Sequence, residues 1–105
     1  MDHRRVADLL ALALAGDVAG LRTMLGPAGE PALDGRADLP GGVTPLMAAA
    51  SGGHEAAVEL LLRCGADPAR RDARGRTAAA YARAAGHPHL AERLDTVVDT
   101  ERTIR

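Results

Sequence analysis

Few side chains in this sequence could serve as a nucleophile. Ser51 is the only serine, Cys64 is the only cysteine, and lysine is absent. A nucleophile and its base must lie within hydrogen-bonding distance. Cys64 and the nearest imidazole, that of His54, bracket one predicted helix and would lie about 15 Å apart. We interpret Ser51 and His54 as a helix-end residue and a turn residue, so the sequence predicts no catalytic residue and no enzyme.

Two histidines, His87 and His89, lie on either side of a proline. A protein metal site needs three or four such ligands, and no cysteine or carboxylate cluster completes this one. The pairs Gly41-Gly42 and Gly52-Gly53 follow no predicted strand, and a phosphate-binding loop would need a lysine. The sequence therefore predicts no metal and no cofactor, and we interpret these residues as parts of turns.

The elements that position these residues must pack with small side chains. The 105 residues suffice for one domain, and they include no Phe, no Trp and one Tyr, Tyr81. Leu, Val, Met and Ala fill the narrow space between close helices better than the interior of a sandwich or barrel. The composition therefore favours an all-helical domain.

The net charge of −1 gives no bias toward nucleic acid or an anionic membrane. The apolar run at residues 9–15 is short for a signal peptide, and we interpret it as a helix of the fold. No run approaches the ~20 apolar residues of a membrane span. The single cysteine suits a reducing compartment. We expect a cytoplasmic monomer, and the use of arginine for all thirteen basic residues is typical of a GC-rich, bacterial genome.

An internal repeat is the most informative pattern in the sequence. A shift of 33 residues aligns seven identical pairs, among them Gly53-His54 with Gly86-His87. A third copy lies at an offset of 37, where Gly16-Asp17 corresponds to Gly53-His54. The four extra residues fall in the connection after Leu25, where an insertion costs little. The chain therefore contains three related units.

Each unit predicts a helix, a tight turn, a second helix and an extended loop. In the middle unit, Thr44 is placed to cap the first helix and Pro45 to occupy its first turn. The second helix, from about Glu55 to Arg63, has one apolar stripe, and Gly65 suits a left-handed cap at its end. The stripe consists of Ala57, Val58, Leu61 and Leu62. Stacking on neighbouring units is needed to bury it.

These residues resemble the ankyrin repeat. Its pattern, D-x-x-G-x-T-P-L-H-x-A-A-x-x-G-H followed by V-x-x-L-L-x-x-G-A-D, is matched from Gly42 to His54 and from Val58 to Asp67. The resemblance implies an all-α solenoid of three helix-turn-helix units joined by extended, β-turn-like loops. We expect a single domain at 1–105, with approximate repeats at 5–38, 39–71 and 72–98 and a frayed tail at 99–105.

The sequence departs from the family pattern at several positions. Met47 replaces the family's His, and Leu39 replaces the opening Asp of the middle unit. In the third unit Ala78-Ala79 replaces Pro-Leu, while Arg93 and Asp95 make the second helix more polar. A polar outer face is typical of a terminal capping repeat.

The resemblance also implies a binding surface, formed by the loop tips and the exposed side of the first helices. On the second loop, four arginines lie within seven residues, and their guanidinium groups could bind carboxylates or phosphates. The predicted contact residues are Leu39, Pro40, Val43, Met47, Ser51, Arg70, Arg71, Arg74, Arg76 and Ala84. Among them Met47 is expected to offer an adaptable apolar contact. The resemblance implies that Tyr81, by contrast, packs in the core.

The sequence thus predicts a non-catalytic protein–protein interaction module, such as an adaptor, an inhibitor or a regulatory subunit. One alternative is nucleic-acid or other polyanion binding through the loop from Arg70 to Arg76, although that loop has no aromatic residue for base stacking. Another is self-association of this basic second loop with the first loop, from Gly26 to Val43, which contains Glu30, Asp34 and Asp38. The arginines would otherwise be solvated surface charge.

Overall fold

Residues 3–25, 42–64 and 66–104 are described by this computed structural model, and in these ranges the chain forms six helices and no strand. The helices are α1 (His3–Ala15), α2 (Val18–Leu25), α3 (Pro45–Ser51), α4 (Glu55–Arg63), α5 (Ala78–Ala84) and α6 (Pro88–Ile104). They form three helix-turn-helix pairs, with α3 packed between α1 and α5 and with α2 against α4. The predicted all-α solenoid of three units is confirmed.

Helix α3 begins as its sequence predicts. Thr44 has an extended backbone, and its Oγ1 accepts a hydrogen bond from the Met47 N–H at 3.2 Å. Pro45 takes the first helical position, where no N–H is needed. In return the Thr44 N–H donates to the sulfur of Met47 at 3.3 Å, so Met47 fills the place that Glu or Gln takes in a capping box.

The exposure predicted for Met47 is wrong. Its side chain is 1% exposed, because it folds back over the start of α3 and joins the core between the neighbouring helices. A flexible thioether fills such an irregular space well. Met47 is therefore a packing and capping residue in this structure, and its side chain offers no accessible surface to a partner.

The turn between the paired helices has the same hydrogen bonds in every unit. In the middle unit, Gly53 and His54 donate their N–H groups to the Ala50 and Ala49 carbonyls, both at 3.0 Å. Gly53 has a φ of 71°, which favours glycine. The turns at Gly16 and Gly86 repeat this pattern with their own positive φ values. The register found by self-comparison therefore corresponds to a shared backbone geometry.

The core is a layer of small and medium aliphatic side chains between the helices. All of α3 from Pro45 to Ala50 is buried, and so are most of the residues predicted as the apolar stripe of α4. Leu62 is the exception and is half-buried. Among the described residues, no buried side-chain nitrogen or oxygen lacks a hydrogen-bond partner. Burial of this layer is the main favourable term in folding.

The two outer helices agree with the sequence to different extents. Helix α4 runs from Glu55 to Arg63, the bounds that the pattern predicted. Helix α6 continues to Ile104, through the segment for which a frayed tail was expected. Val97 and Val98 lie just past the middle of α6 and are half-buried, so apolar packing stabilises the helix at that point. Once a helix is nucleated, each further residue adds one backbone hydrogen bond at small cost.

The polar residues of α6 join neighbouring helices. Arg93 forms a two-bonded ion pair with Glu59 of α4, and Arg83 of α5 donates to Asp95 at 2.8 Å. The pKa of Glu59 is lowered, chiefly by its hydrogen bond with Arg93. These side chains therefore connect the third unit to the second and also connect its own two helices.

Some predictions fall on residues 26–41 and 65, which lie outside the described ranges. They concern the first loop with Leu39 and Pro40, and Gly65 as a helix cap. The apolar run at residues 9–15 lies within α1, which packs against α3.

Candidate binding surface

The second loop is closed around one buried carboxylate, that of Asp72. The Asp72 N–H donates to the Arg76 carbonyl at 2.9 Å, and the Gly75 N–H donates to the Asp72 carbonyl at 3.0 Å. The Asp72 Oδ1 accepts the backbone N–H groups of Arg74 at 2.9 Å and Arg76 at 2.8 Å. An aspartate that bonds the backbone ahead of it in this way shapes a tight turn.

The other carboxylate oxygen of Asp72 binds two side chains. Its Oδ2 accepts the Tyr81 hydroxyl at 2.5 Å and the Arg76 Nε at 3.0 Å. The Arg76 Nη2 also donates to the Tyr81 hydroxyl oxygen at 3.0 Å, and the guanidinium lies 4.6 Å from the centre of the Tyr81 ring. We call these three side chains the Asp72 clamp. It joins the loop to helix α5.

The clamp shifts the pKa values of its acidic members. The pKa of Asp72 lies well below its usual range, chiefly because the Tyr81 hydroxyl donates to its carboxylate. The backbone N–H groups of Arg76 and Arg74, and then the Arg76 guanidinium, lower it further. Desolvation opposes these effects and is outweighed. Burial, followed by the neighbouring carboxylate, raises the pKa of Tyr81. At neutral pH the clamp therefore holds a charged carboxylate against a protonated hydroxyl.

The clamp divides the four predicted arginines into two groups. Arg76 is committed to Asp72 and Tyr81. Arg70, Arg71 and Arg74 have no carboxylate partner within the described ranges, and we call them the arginine tip. Arg71 and Arg74 are exposed, and Arg70 is half-buried.

The other predicted contact residues are spread over the first helices and the turn before α3. Ala84 is exposed at the end of α5, Ser51 is half-buried at the end of α3, and Val43 is half-buried against the core. Ala84, Arg71 and Arg74 are thus accessible. Ser51, Val43 and Arg70 are only partly accessible. Met47 is excluded from that surface by its burial.

Both turn histidines pack against the preceding unit. The Nε2 of His54 lies 2.9 Å from the Leu14 carbonyl oxygen, and its ring lies against the backbone of Gly16. The ring of His87 lies against Gly53 in the same way. The structural role predicted for these histidines is therefore confirmed, and His54 is engaged away from Ser51.

Tyr81 packs partly against the core, as predicted, but its polar role was missed. The sequence feature that points to this polar role is the spacing of Asp72, Arg76 and Tyr81. The first two lie on one loop, and the third lies one helical turn into α5. In the sequence all four arginines look equivalent, and only the fold shows that Arg76 is the one that lies against the Tyr81 ring.

Two further features of the described ranges bear on function. No group of three His, Cys, Asp or Glu residues in them is arranged to hold a metal ion. None of their helices combines the length and the apolar character needed to cross a bilayer.

These helix pairs, stacked in one row with a projecting loop, define a repeat solenoid. A family model described as ankyrin repeats, in three copies, matches residues 9–99. The chain belongs to the ankyrin-repeat family, whose repeats are generally protein–protein interaction modules.

The curated relatives match a shorter stretch. Over 53 residues the chain is 55% identical to the human ARF GTPase-activating protein GIT1 and 49% identical to the mouse ARF GTPase-activating protein GIT2. The match covers 50% of this chain but only 7% and 8% of those proteins, respectively. Both relatives are mammalian, so the bacterial source that arginine usage suggested has no support.

Proposed function

We propose that this chain is a non-catalytic protein–protein interaction module, acting as an adaptor, an inhibitor or a regulatory subunit. The observation that carries the proposal is a loop whose backbone is fixed by the Asp72 clamp while three arginines beside it remain without a carboxylate partner in the described ranges. A rigid loop loses little conformational freedom when a partner binds. Arginine is also enriched at protein interfaces.

The proposed contact surface consists of the loop tips and the exposed ends of the first helices. Ala84, the arginine tip and Ser51 at the end of α3 belong to it. Leu39, Pro40 and Val43 remain proposed contacts of the neighbouring loop. Fold alone does not determine function, so the assignment rests on this surface and on the family together.

A non-catalytic role is supported by the geometry of the potential nucleophiles. His54 bonds the Leu14 carbonyl oxygen instead of serving as a base for Ser51. Cys64 lies at the opposite end of α4 from His54, beyond hydrogen-bonding reach. A cytoplasmic location and a monomeric state complete the proposal, and the single Cys64 suits a reducing compartment.

Site-specific photocrosslinking in cells of the native host tests the surface. A photoreactive residue at Ala84 is expected to form adducts with a discrete partner protein. The matched control is the same residue at Glu92, which is exposed on the second helix of the same unit. Equal adducts from both positions, or none from Ala84, would contradict the proposal.

The same experiment separates the alternatives. Adducts that consist only of nucleic acid, or only of a second copy of this chain, would replace the proposed function with polyanion binding or self-association. Sedimentation at low and high salt then checks the second outcome, because association through charged loops weakens as salt screens them.

A further inference from the structure

The arginines of the second loop and of the third unit differ in what surrounds them. Arg76, Arg83 and Arg93 each bind a carboxylate of this chain. The arginine tip has no such partner within the described ranges, although Asp72 lies between its members in sequence. The clamp explains this arrangement, since both oxygens of Asp72 are already taken by Arg76, Tyr81 and backbone N–H groups.

The backbone that carries the tip is held from two sides. The Asp72 Oδ1 binds the N–H of Arg74 at 2.9 Å. On the other side lies Gly42, at the turn before α3, where a Cβ would lie 3.5 Å from the Ala73 nitrogen and 3.6 Å from the Asp72 Cα. The loop therefore rests on the preceding unit, and Arg71 and Arg74 project from a fixed backbone.

We propose that the arginine tip is a docking site for an acidic segment of a partner protein, a stretch rich in Asp and Glu, and that Tyr81 and Asp72 are positioning residues for it. This inference rests on the proposed function and names the chemistry of its partner. Guanidinium groups bind carboxylates through paired, charge-assisted hydrogen bonds. Asp67 is the one other acidic residue of the loop, and its Oδ1 accepts the Ala69 N–H at 2.9 Å.

The features of the loop favour a carboxylate-bearing peptide over a nucleic acid. Nucleic-acid sites commonly stack bases on aromatic side chains, and the Tyr81 ring, the single aromatic of the chain, has Arg76 over it. The net charge of −1 also gives little of the nonspecific attraction to phosphates that such sites use.

The first test is direct binding of a fluorescein-labelled polyglutamate peptide, followed by anisotropy at low salt and at about 0.15 M salt. Changing Arg71→Ala and Arg74→Ala together is expected to weaken binding at least about tenfold, because two charge-assisted contacts are lost. The matched control is Arg22→Ala with Arg63→Ala, which removes the same charge from exposed helix positions. The control is expected to weaken binding by less than about threefold.

The second test separates positioning from charge. Asp72→Asn removes a negative charge from the loop, so simple attraction predicts tighter binding of the acidic peptide. If the clamp positions the tip, the loosened loop instead weakens binding by about two- to fivefold, since the loop must be ordered on binding. Tyr81→Phe leaves the charge unchanged, and we expect a similar loss with an unchanged dependence of affinity on salt.

Four results would overturn the inference, and the last of them would leave the proposed function standing. One is an equal loss in the arginine-tip variant and its control. Another is binding of a mixed single-stranded oligonucleotide more tightly than the peptide, and a third is tighter peptide binding by Asp72→Asn. If the peptide fails to bind at low salt while Ala84 crosslinks to a partner protein, docking of an acidic segment is wrong but the interaction function stands. Circular dichroism of each variant verifies that it folds.

Discussion

The second and third units share a backbone register but are stabilised differently. In the second unit, Thr44 is 2% exposed and α3 is buried from Pro45 to Ala50, so apolar packing holds the unit between its neighbours. In the third unit, α5 has alanines at the positions of Pro45 and Leu46, and the polar Asp72 clamp fixes its loop. The second unit is therefore stabilised mainly by burial, whereas the third unit adds a satisfied hydrogen-bond network in the loop before its first helix.

The difference follows from the packing of the first helices. Helix α3 contacts first helices on two sides, whereas α5 contacts one, α3, among the described helices. A segment with less apolar contact must gain its order elsewhere, and buried polar groups stabilise only when their hydrogen bonds are complete. Asp72 meets that condition with four accepted bonds.

The largest expected effect comes from making the second unit resemble the third at its core. Leu46 is 1% exposed and corresponds to Ala79, so Leu46→Ala copies the third unit's residue. We expect a loss of about 2–5 kcal/mol in the free energy of unfolding, through lost transfer energy and a residual cavity. Chemical denaturation measures it, with Leu62→Ala at a half-buried position as the milder control. A loss no larger than that of the control would mean that the second unit does not depend on packing.

Gly53 and Gly86 occupy the same turn position in the second and third units but have different surroundings. Gly53 and Gly86 both have positive φ, so an alanine at either position is expected to cost about 1–2 kcal/mol in backbone strain. At Gly53 the new Cβ would lie 2.6 Å from the His87 ring, whereas at Gly86 it would meet nothing within 4 Å. Gly53→Ala should therefore lower the melting temperature more than Gly86→Ala. Equal shifts would show that His87 moves away at no cost.

The clamp predicts a smaller, acid-dependent effect confined to the third unit. Because the pKa of Asp72 is lower in the folded state, its contribution is complete above the unfolded-state pKa of about 3.9 and is lost as the pH falls from there toward the folded-state value. Unfolding at a series of pH values is expected to show a shallower acid loss for Asp72→Asn than for the original chain. Hydrogen exchange at the Arg74 and Arg76 amides should locate the change. Identical acid profiles would contradict a role for the clamp in stability.

The smallest expected effect belongs to the ion pair between the units. Arg93 is more than half exposed and Glu59 is about one-third exposed, so water and salt screen their attraction. Glu59→Gln is expected to cost about 0–1 kcal/mol, and raising the salt should reduce that cost further. Denaturation at two salt concentrations measures it. A cost above about 2 kcal/mol would indicate that this pair, and not the apolar layer, joins the second and third units.

Several sequence predictions agreed with the structure because their signals are local. The cap at Thr44, the helix from Glu55 to Arg63 and the turn at Gly53 each depend on a few adjacent residues with well-defined backbone preferences. The burial of Met47 was mispredicted, because it depends on how the neighbouring helices surround this residue.

The repeated residue pattern is enough to establish the family, the three-unit register, the helix starts and the turns, since a repeated pattern specifies a repeated backbone. Which charged residues are available to a partner depends instead on tertiary contacts. Asp72, Arg76 and Tyr81 come from a loop and a helix, and their contacts form only when α5 folds back beside the loop. Asp72 pairs with Arg76 and not with the three arginines of the tip. A carboxylate has few acceptor sites, and the clamp occupies those of Asp72.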